Sequence, residues 1–253
     1  MRNEKFGKQI VFNRRIGVYY ALIFLVCLAS ACLQPPWSLI LLWPALSMLL
    51  ITLGYWIAGP AVFCKVGGKI PLFSKLALAP YLLGQQLYLR SYFNKCRPWD
   101  EPVPGLLIGR VLSAKEARLA IQEGVSAVVD MTAEFSESLP FRDLAYLNLQ
   151  TLDLTAPHPV CLQQGVEFID REIQSGKVYV HCKIGYSRTA VMAGVYLIHS
   201  GRARTVDEAV ALLKKARPTL IVRPEAWEAL EVFYAGYQDR KDKENKVKQK
   251  ARS

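Results

Sequence analysis

Val178-Tyr179-Val180-His181-Cys182-Lys183-Ile184-Gly185-Tyr186-Ser187-Arg188-Thr189 is the stretch on which the reading of this chain turns. Residues 177–181 are apolar and β-branched enough to predict a short buried strand, and 187–200 predict a helix. A strand that passes through a short loop into a helix start points successive backbone N–H groups into the loop. It also adds the positive end of a helix dipole. A dianionic phosphate fits such a cradle without a metal or other cofactor. The expected donors are the loop residues Lys183, Ile184, Gly185, Tyr186 and Ser187, together with Arg188. The same field lowers the pKa of Cys182, whose thiolate is the expected nucleophile. Arg188, six positions on, can reach back and hold two phosphate oxygens in a planar fork that lysine cannot copy. Gly185 permits close backbone approach at the turn. Thr189 can offer its hydroxyl to the sulfur, and His181 reads as a residue that orients the loop by hydrogen bonding rather than as a base.

Transfer of a phosphoryl group to Cys182 expels an alkoxide or phenoxide, a poor leaving group unless it is protonated. The chemistry therefore asks for an acid upstream. Asp130 ends an apolar strand, Asp143 has the look of a surface charge, and Asp153 lies 29 residues before Cys182 on a loop after a strand.

The frame around the motif is alternating. Strands are predicted over 106–108, 125–130, 146–149 and 177–181. Helices are predicted over 113–123, capped by Ser113, and over 160–174 and 187–200; two more follow, starting near Thr205 and Pro224. The expected fold is α/β: a mostly parallel twisted sheet flanked by helices. Residues 90–104 read as a polar linker and the charged tail after Asp239 as frayed.

H-C-x-x-G-x-x-R-[ST], spelled here by His181 to Thr189, is the signature of the cysteine-based dual-specificity and protein-tyrosine phosphatases, which this chain resembles over about 103–237. Pro104-Gly105-Leu106-Leu107-Ile108-Gly109 is similar to that class's opening strand. Thr151-Leu152-Asp153-Leu154-Thr155 and Ile221-Val222-Arg223-Pro224 resemble segments of the mitochondrial-type phosphatidylglycerophosphate phosphatases. The resemblance implies a phosphoric monoester hydrolase working through a phosphocysteine intermediate, with Asp153 as general acid. Two departures are visible. Tyr186 stands where that branch carries arginine, and Thr132-Ala133-Glu134-Phe135-Ser136 where it carries a more acidic loop.

Upstream the composition changes character. The chain has a net charge of +11, yet the 49 residues of 16–64 contain no charged side chain. The first fifteen residues contribute +4 and the last fourteen +5, so the basic excess sits in the ends. That pattern suits an anionic lipid surface rather than a nucleic-acid face. The apolar runs 16–33 and 37–63 are each long enough to span a bilayer, with Gln34-Pro35-Pro36 as the turn between them. Arg14, Arg15, Lys65, Lys69 and Lys75 flank the hairpin and predict a cytoplasmic catalytic domain on an integral protein of the cell's inner membrane. Ala29-Ser30-Ala31 also resembles a signal-cleavage site; cutting there leaves one span and the same final side. A third apolar segment, 72–89, is interrupted by Pro80, Gly84, Gln85 and Gln86, and is expected to lie along the membrane surface. The six cysteines show neither disulfide nor zinc spacing.

The expected organisation is a basic segment (1–15), a transmembrane hairpin (16–64), a juxtamembrane linker (65–102), the phosphatase domain (103–238) and a basic tail (239–253). The expected substrate is a phospholipid such as phosphatidylglycerophosphate. Tyrosine or serine/threonine phosphoproteins are the alternative, and a catalytically dead phosphate-binding domain is a third reading. His158 and His199 carry no assigned chemistry beyond loop and helix-end roles, and Lys183, Arg217 and Arg223 read either as anion-binding or as solvated helix-end charges.

Overall fold

The computed structural model of the protein describes residues 13–33, 36–93 and 95–250. Most of the basic N-terminal segment and the turn residues Gln34 and Pro35 lie outside them.

The first apolar run forms helix α1, Arg14–Leu33. The second is less regular than expected. A 3₁₀ segment at Pro36–Leu41 leads into α2, Leu42–Leu53, which loosens into a π turn at Gly54–Ala58 and a 3₁₀ turn at Gly59–Phe63. Gly54 and the Gly59-Pro60 pair account for the break, since neither residue type favours a continuing α-helix. Both runs are long and apolar enough to cross a membrane. They pair as an antiparallel hairpin: Ser38 Oγ donates to Ala31 O at one end and Trp56 Nε1 to Arg14 O at the other. Their outer faces leave Leu22, Ile23, Val26, Ile40 and Leu46 exposed.

The segment expected to lie flat is a bent pair, α3 (Leu72–Ala77) and α4 (Ala79–Tyr92), broken just before Pro80. The tip of the pair leans on α2, where Trp43 Nε1 donates to Leu76 O and Tyr81 N donates to Ser47 Oγ. Before the pair, Gly68 O accepts from Glu137 N in the catalytic domain; after it, Tyr92 packs edge-on to Tyr186 of the same domain. The chain thus leaves and returns to one face of the domain, with Leu72, Phe73, Leu76, Leu83 and Leu87 exposed along the way.

The domain itself is a five-stranded sheet in the order β1-β2-β5-β3-β4, built from β1 (Trp99–Val103), β2 (Leu106–Arg110), β3 (Val125–Thr132), β4 (Ala145–Thr151) and β5 (Lys177–Cys182). All neighbours are parallel except β1, which runs antiparallel to β2. One face packs on α7 (Pro159–Glu172), α8 (Ser187–His199), α9 (Val206–Ala216) and α10 (Pro224–Lys250) through an apolar core around Val180, Val191 and Leu213. The other packs on α5 (Ala114–Gln122) and α6 (Leu139–Arg142) around Val128, Phe141 and Tyr179. Ser113 and Glu116 form a reciprocal capping box at the start of α5.

Two expectations are corrected. The polar linker over 90–104 contains β1, a short half-exposed strand that gains its order by pairing with β2. The tail expected to fray continues α10 to Lys250, because beyond Gly236 it has neither proline nor glycine and is rich in helix-forming Lys, with Arg and Gln beside it.

The hairpin and domain share a third apolar cluster, in which Ile51, Tyr55, Phe63, Leu78 and Tyr81 meet Ala133 and Leu152. Beside it lies a buried ion pair: Lys65 Nζ donates to Asp130 Oδ2 at 2.5 Å and to Thr132 O at 2.9 Å. Asp130 also accepts from Tyr146 Oη and from Thr132, a satisfied network. Burial alone raises the Asp130 carboxyl, but Lys65 and His181 outweigh it and bring it down from 3.8 to about 2. A depressed carboxylate stabilises the fold fully above its unfolded pKa and loses that contribution as pH falls through the folded one. Asp130→Asn should therefore destabilise the protein by about 3–5 kcal/mol at neutral pH, because it strands a buried ammonium. The deficit relative to wild type should shrink as pH drops from 3.8 toward about 2. Denaturant unfolding of the full chain in detergent measures both, and Lys65→Met/Asp130→Asn should recover part of the loss.

Candidate active site

β5 sits between β2 and β3, and the registers Arg110 with Cys182 and Asp130 with His181 bring its end level with both neighbours. Cys182 is the last residue of that strand and Ser187 the first of α8, so 183–186 form the loop. Gly185 turns it with φ +74, and a Cβ there would lie 2.5 Å from the backbone of Gly109. No larger residue fits without moving β2. The loop is braced from outside: Val111 N donates to Lys183 O, and Arg217 Nη2 to Ile184 O. Arg217 is buried and ion-paired to Asp100 of β1, which makes it a strut beneath the loop rather than an anion-binding surface charge. Ser187 Oγ donates to Ile221 O and accepts from Arg223 N, tying the loop to the start of α10.

Burial disfavours ionisation of the Cys182 thiol. The Arg188 charge and hydrogen bonds from the Thr189 hydroxyl and the backbone of Thr189 and Tyr186 outweigh it, and the thiol is held below its ordinary 9.0. Arg188 is buried, with Nη1 and Nη2 forked onto the two Glu134 carboxylate oxygens at 3.0 and 2.7 Å. Nη1 also donates to Thr151 O and Nη2 to Asp153 Oδ1 at 3.1 Å. Although burial works against the charge, Glu134 and Asp153 hold the guanidinium firmly protonated.

Asp153 follows β4 and reaches the loop, where its second oxygen accepts from Lys183 Nζ. Burial raises its carboxyl, but Arg188 and Lys183 pull it below its ordinary 3.8. Lys183 Nζ also donates to Gln85 Oε1 at 2.9 Å and stands 4.7 Å over the Tyr88 ring. The result is an open cleft of about 450 Å³, lined by Cys182, Lys183, Arg188 and Asp153, with Tyr186 and Tyr88 among its walls.

His181 lies behind the loop, its Nε2 2.7 Å from Glu137 Oε2 and 3.8 Å from Asp130. Burial opposes its protonation, but Glu137 and Asp130 raise its pKa above 6.5. The ligand atoms of Asp130, Glu137 and His181 lie within 4.8 Å of one another, as in a metal site, yet Lys65 already supplies this cluster with its cation. Asp130 is sealed beneath β3 and does not line the cleft, and Asp143 is exposed elsewhere. His158 caps α7 through its ring nitrogen and His199 pairs with Asp170, both away from the cleft.

Sequence reasoning did not single out Glu134, Gln85 or Tyr88. Two glutamates, Glu134 and Glu137, in the otherwise uncharged loop 133–138 were a usable signal, since a buried carboxylate requires a cation. Gln85 and Tyr88 carried no local signal.

A family model for the dual specificity phosphatase catalytic domain matches residues 107–235. A curated rat protein named phosphatidylglycerophosphatase and protein-tyrosine phosphatase 1 (Rattus norvegicus) is 32% identical over 140 residues, covering 51% of this chain and 72% of the relative. The phosphatidylglycerophosphate phosphatase PTPMT1 of Arabidopsis thaliana is 26% identical over 189 residues, covering 69% of this chain and 56% of its own length. Among solved structures, PTPMT1 in complex with PI(5)P superposes with a TM-score of 0.51 at 26% identity, covering 57% of this chain and 99% of that one.

The electrostatics give a test that separates charge from grip. Alkylation by iodoacetamide follows the thiolate, so its pH midpoint at Cys182 should lie below 9.0. Arg188→Gln should move the midpoint up, whereas Arg188→Lys should keep it low. Arg188→Lys should nonetheless lose about a hundredfold or more in kcat/KM, because the planar fork is gone. An unchanged midpoint in Arg188→Gln would assign the depressed pKa to the Thr189 hydroxyl and the backbone amides.

Proposed function

The chain belongs to the dual specificity phosphatase family and is a phosphoric monoester hydrolase, and we propose that it removes the terminal phosphate from a membrane lipid, most concretely phosphatidylglycerophosphate. The observation that carries this reading is the position of the cleft. Its wall includes Tyr88 of α4, a helix whose partner α3 touches the apolar hairpin and whose outer face is exposed leucine. A cleft opening beside an apolar hairpin favours a phosphomonoester carried on a lipid, whose local concentration there exceeds that of a soluble peptide. The names of the rat and Arabidopsis relatives support the same substrate.

In the proposed reaction the phosphate dianion enters the loop and takes the guanidinium of Arg188 and the amides of 183–187 as its ligands. The Cys182 thiolate attacks phosphorus while the bond to the leaving oxygen breaks, and Asp153 gives that oxygen its proton. The product is an alcohol and a phosphocysteine. The aspartate, now ionised, takes a proton from water as the water oxygen attacks phosphorus; inorganic phosphate leaves and the thiolate is restored. Thr189 favours the thiolate in both steps. Entry of the dianion also withdraws Arg188 and Lys183 from Asp153, so the carboxyl can hold a proton in the complex that it lacks in the free enzyme.

In this reading the hairpin crosses the cell's inner membrane, and the flanking Arg14, Arg15, Lys69 and Lys75 favour a cytoplasmic catalytic domain. The rat relative's name also includes protein-tyrosine phosphatase, and Tyr186 gives the cleft an aromatic wall, so a membrane-tethered protein phosphatase is the second reading. Purified full-length enzyme in mixed micelles, offered phosphatidylglycerophosphate and a phosphotyrosine peptide, should show the higher kcat/KM on the lipid. Peptide turnover as fast or faster makes the second reading the right one. Cys182→Ser should abolish turnover of both while retaining phosphate binding.

A further inference from the structure

The loop that carries Asp153 is held by both ends of the apolar hairpin. Tyr55, just past α2, donates its hydroxyl to the Asp153 carbonyl oxygen at 2.8 Å. Asn13, just before α1, donates its side-chain amide to the next carbonyl, Leu154 O, at 3.0 Å. Between these two carbonyls Leu154 adopts φ +57, in the left-handed region that residues with a side chain rarely occupy. The loop's own bonds, from Thr155 N and Oγ1 to Leu152 O, close the turn but leave both of those carbonyls to the hairpin. A conformation of this kind persists where its surroundings over-determine it.

Tyr55 is itself fixed. It is 1% exposed, stacks on Tyr20 of α1 at 5.6 Å, and Tyr20 meets Tyr81 of α4 edge-on at 5.7 Å. Helix α1 thus supports the Tyr55 ring directly and α4 supports it through Tyr20, and the Tyr55 hydroxyl orients the peptide group of the residue whose carboxyl faces Arg188 and Lys183. A tether would need none of these contacts, since a flexible linker also confines a domain to a surface.

We propose that Tyr55 and Asn13 are positioning residues for the Asp153 carboxyl, so that protonation of the leaving group depends on the hairpin being seated against the domain. This rests on the reading of Asp153 as general acid. Rotation of these peptide planes moves the Asp153 carboxyl off the leaving oxygen, while the backbone of the Cys182 loop and the fork of Arg188 on Glu134 stay in place. The expected signature is a loss confined to substrates whose leaving group needs a proton.

The experiment uses the full-length enzyme in mixed micelles and compares Tyr55→Phe, Asn13→Ala and Asp153→Asn on aryl phosphates of rising leaving-group pKa and on an alkyl phosphate. Tyr55→Phe keeps the ring and its stacking. It should lower kcat/KM, which reports transfer to Cys182 and not the later hydrolysis of phosphocysteine, by about tenfold on the alkyl phosphate, within what a general acid contributes. On the best aryl leaving group kcat/KM should stay near that of wild type. Asn13→Ala should show the same pattern, more weakly, and Tyr55→Phe should add no further loss in an Asp153→Asn background. A uniform loss of kcat/KM across leaving groups, or a full additional loss in that background, overturns the proposal while leaving the acid assignment standing. If Asp153→Asn itself shows no leaving-group dependence, the acid assignment fails, and the proposal falls with it for that separate reason.

Discussion

The turn from β5 into α8 has to bring the backbone of Gly185 against that of Gly109, and the rest of the structure follows from that contact. Only with the loop folded this tightly do the amides of 183–187 converge on one point in front of the helix dipole. The close approach requires β2 beside β5, with Gly109 at the place where any side chain would meet Tyr179 and Pro98. It also requires support for the carbonyls that the tight turn directs away from the cradle. Val111 and Arg217 meet that demand, and Arg217 in turn needs the carboxylate of Asp100. The short antiparallel strand β1 is therefore a consequence of the phosphate loop, since it brings Asp100 to Arg217.

For the proposed reaction, charge balance in the cleft explains how Asp153 can serve at two protonation states. In the free enzyme the two cations Arg188 and Lys183 face Glu134, Asp153 and the Cys182 sulfur, and together they hold the Asp153 carboxyl below its ordinary range. A phosphate dianion adds negative charge where low dielectric makes it costly. The group best able to relieve that cost is Asp153, which is at the open side of the cleft, while Glu134 stays sealed against the guanidinium. Glu134 thus fixes the direction of the arginine fork, and Asp153 is left to exchange the proton. The division of labour comes from exposure rather than from any difference in side-chain chemistry.

What was legible in the sequence was local. The strand, loop and helix around Cys182, the cap at Ser113 and the alternation of strands β2 to β5 with their helices all follow from periodicity and capping within a few residues. What escaped were pairings between distant residues. Lys65 reads as one more basic residue beside a span, yet it is buried on Asp130, 65 positions away. Arg217 reads as a solvated helix end, yet its partner is 117 positions back in a strand too polar and too proline-broken to announce itself. Glu134 meets Arg188 across 54 positions. Such contacts leave no periodic trace, because a charged side chain looks the same whether its partner is water or a buried counter-ion. The helical tail was misread for a related reason: low apolar content argues against a core, but not against a helix extended from one that is already nucleated.

The hairpin was the part most easily taken for an accessory, and its contacts argue otherwise. Its far end is fixed to the domain by Lys65 on Asp130, which also faces His181 beneath the nucleophile. Its near ends hold two successive carbonyls of the acid loop. The returning helix α4 sets Gln85 and Tyr88 against Lys183. These contacts reach the loop from behind, from the acid side and from the cleft wall, so the domain cannot swing freely on its anchor without disturbing the chemistry. In the proposed reading, a docked hairpin of this kind does more than raise the local concentration of a lipid. It fixes the angle at which a lipid phosphomonoester meets Cys182, and orientation of that kind contributes to the rate through positioning rather than through affinity.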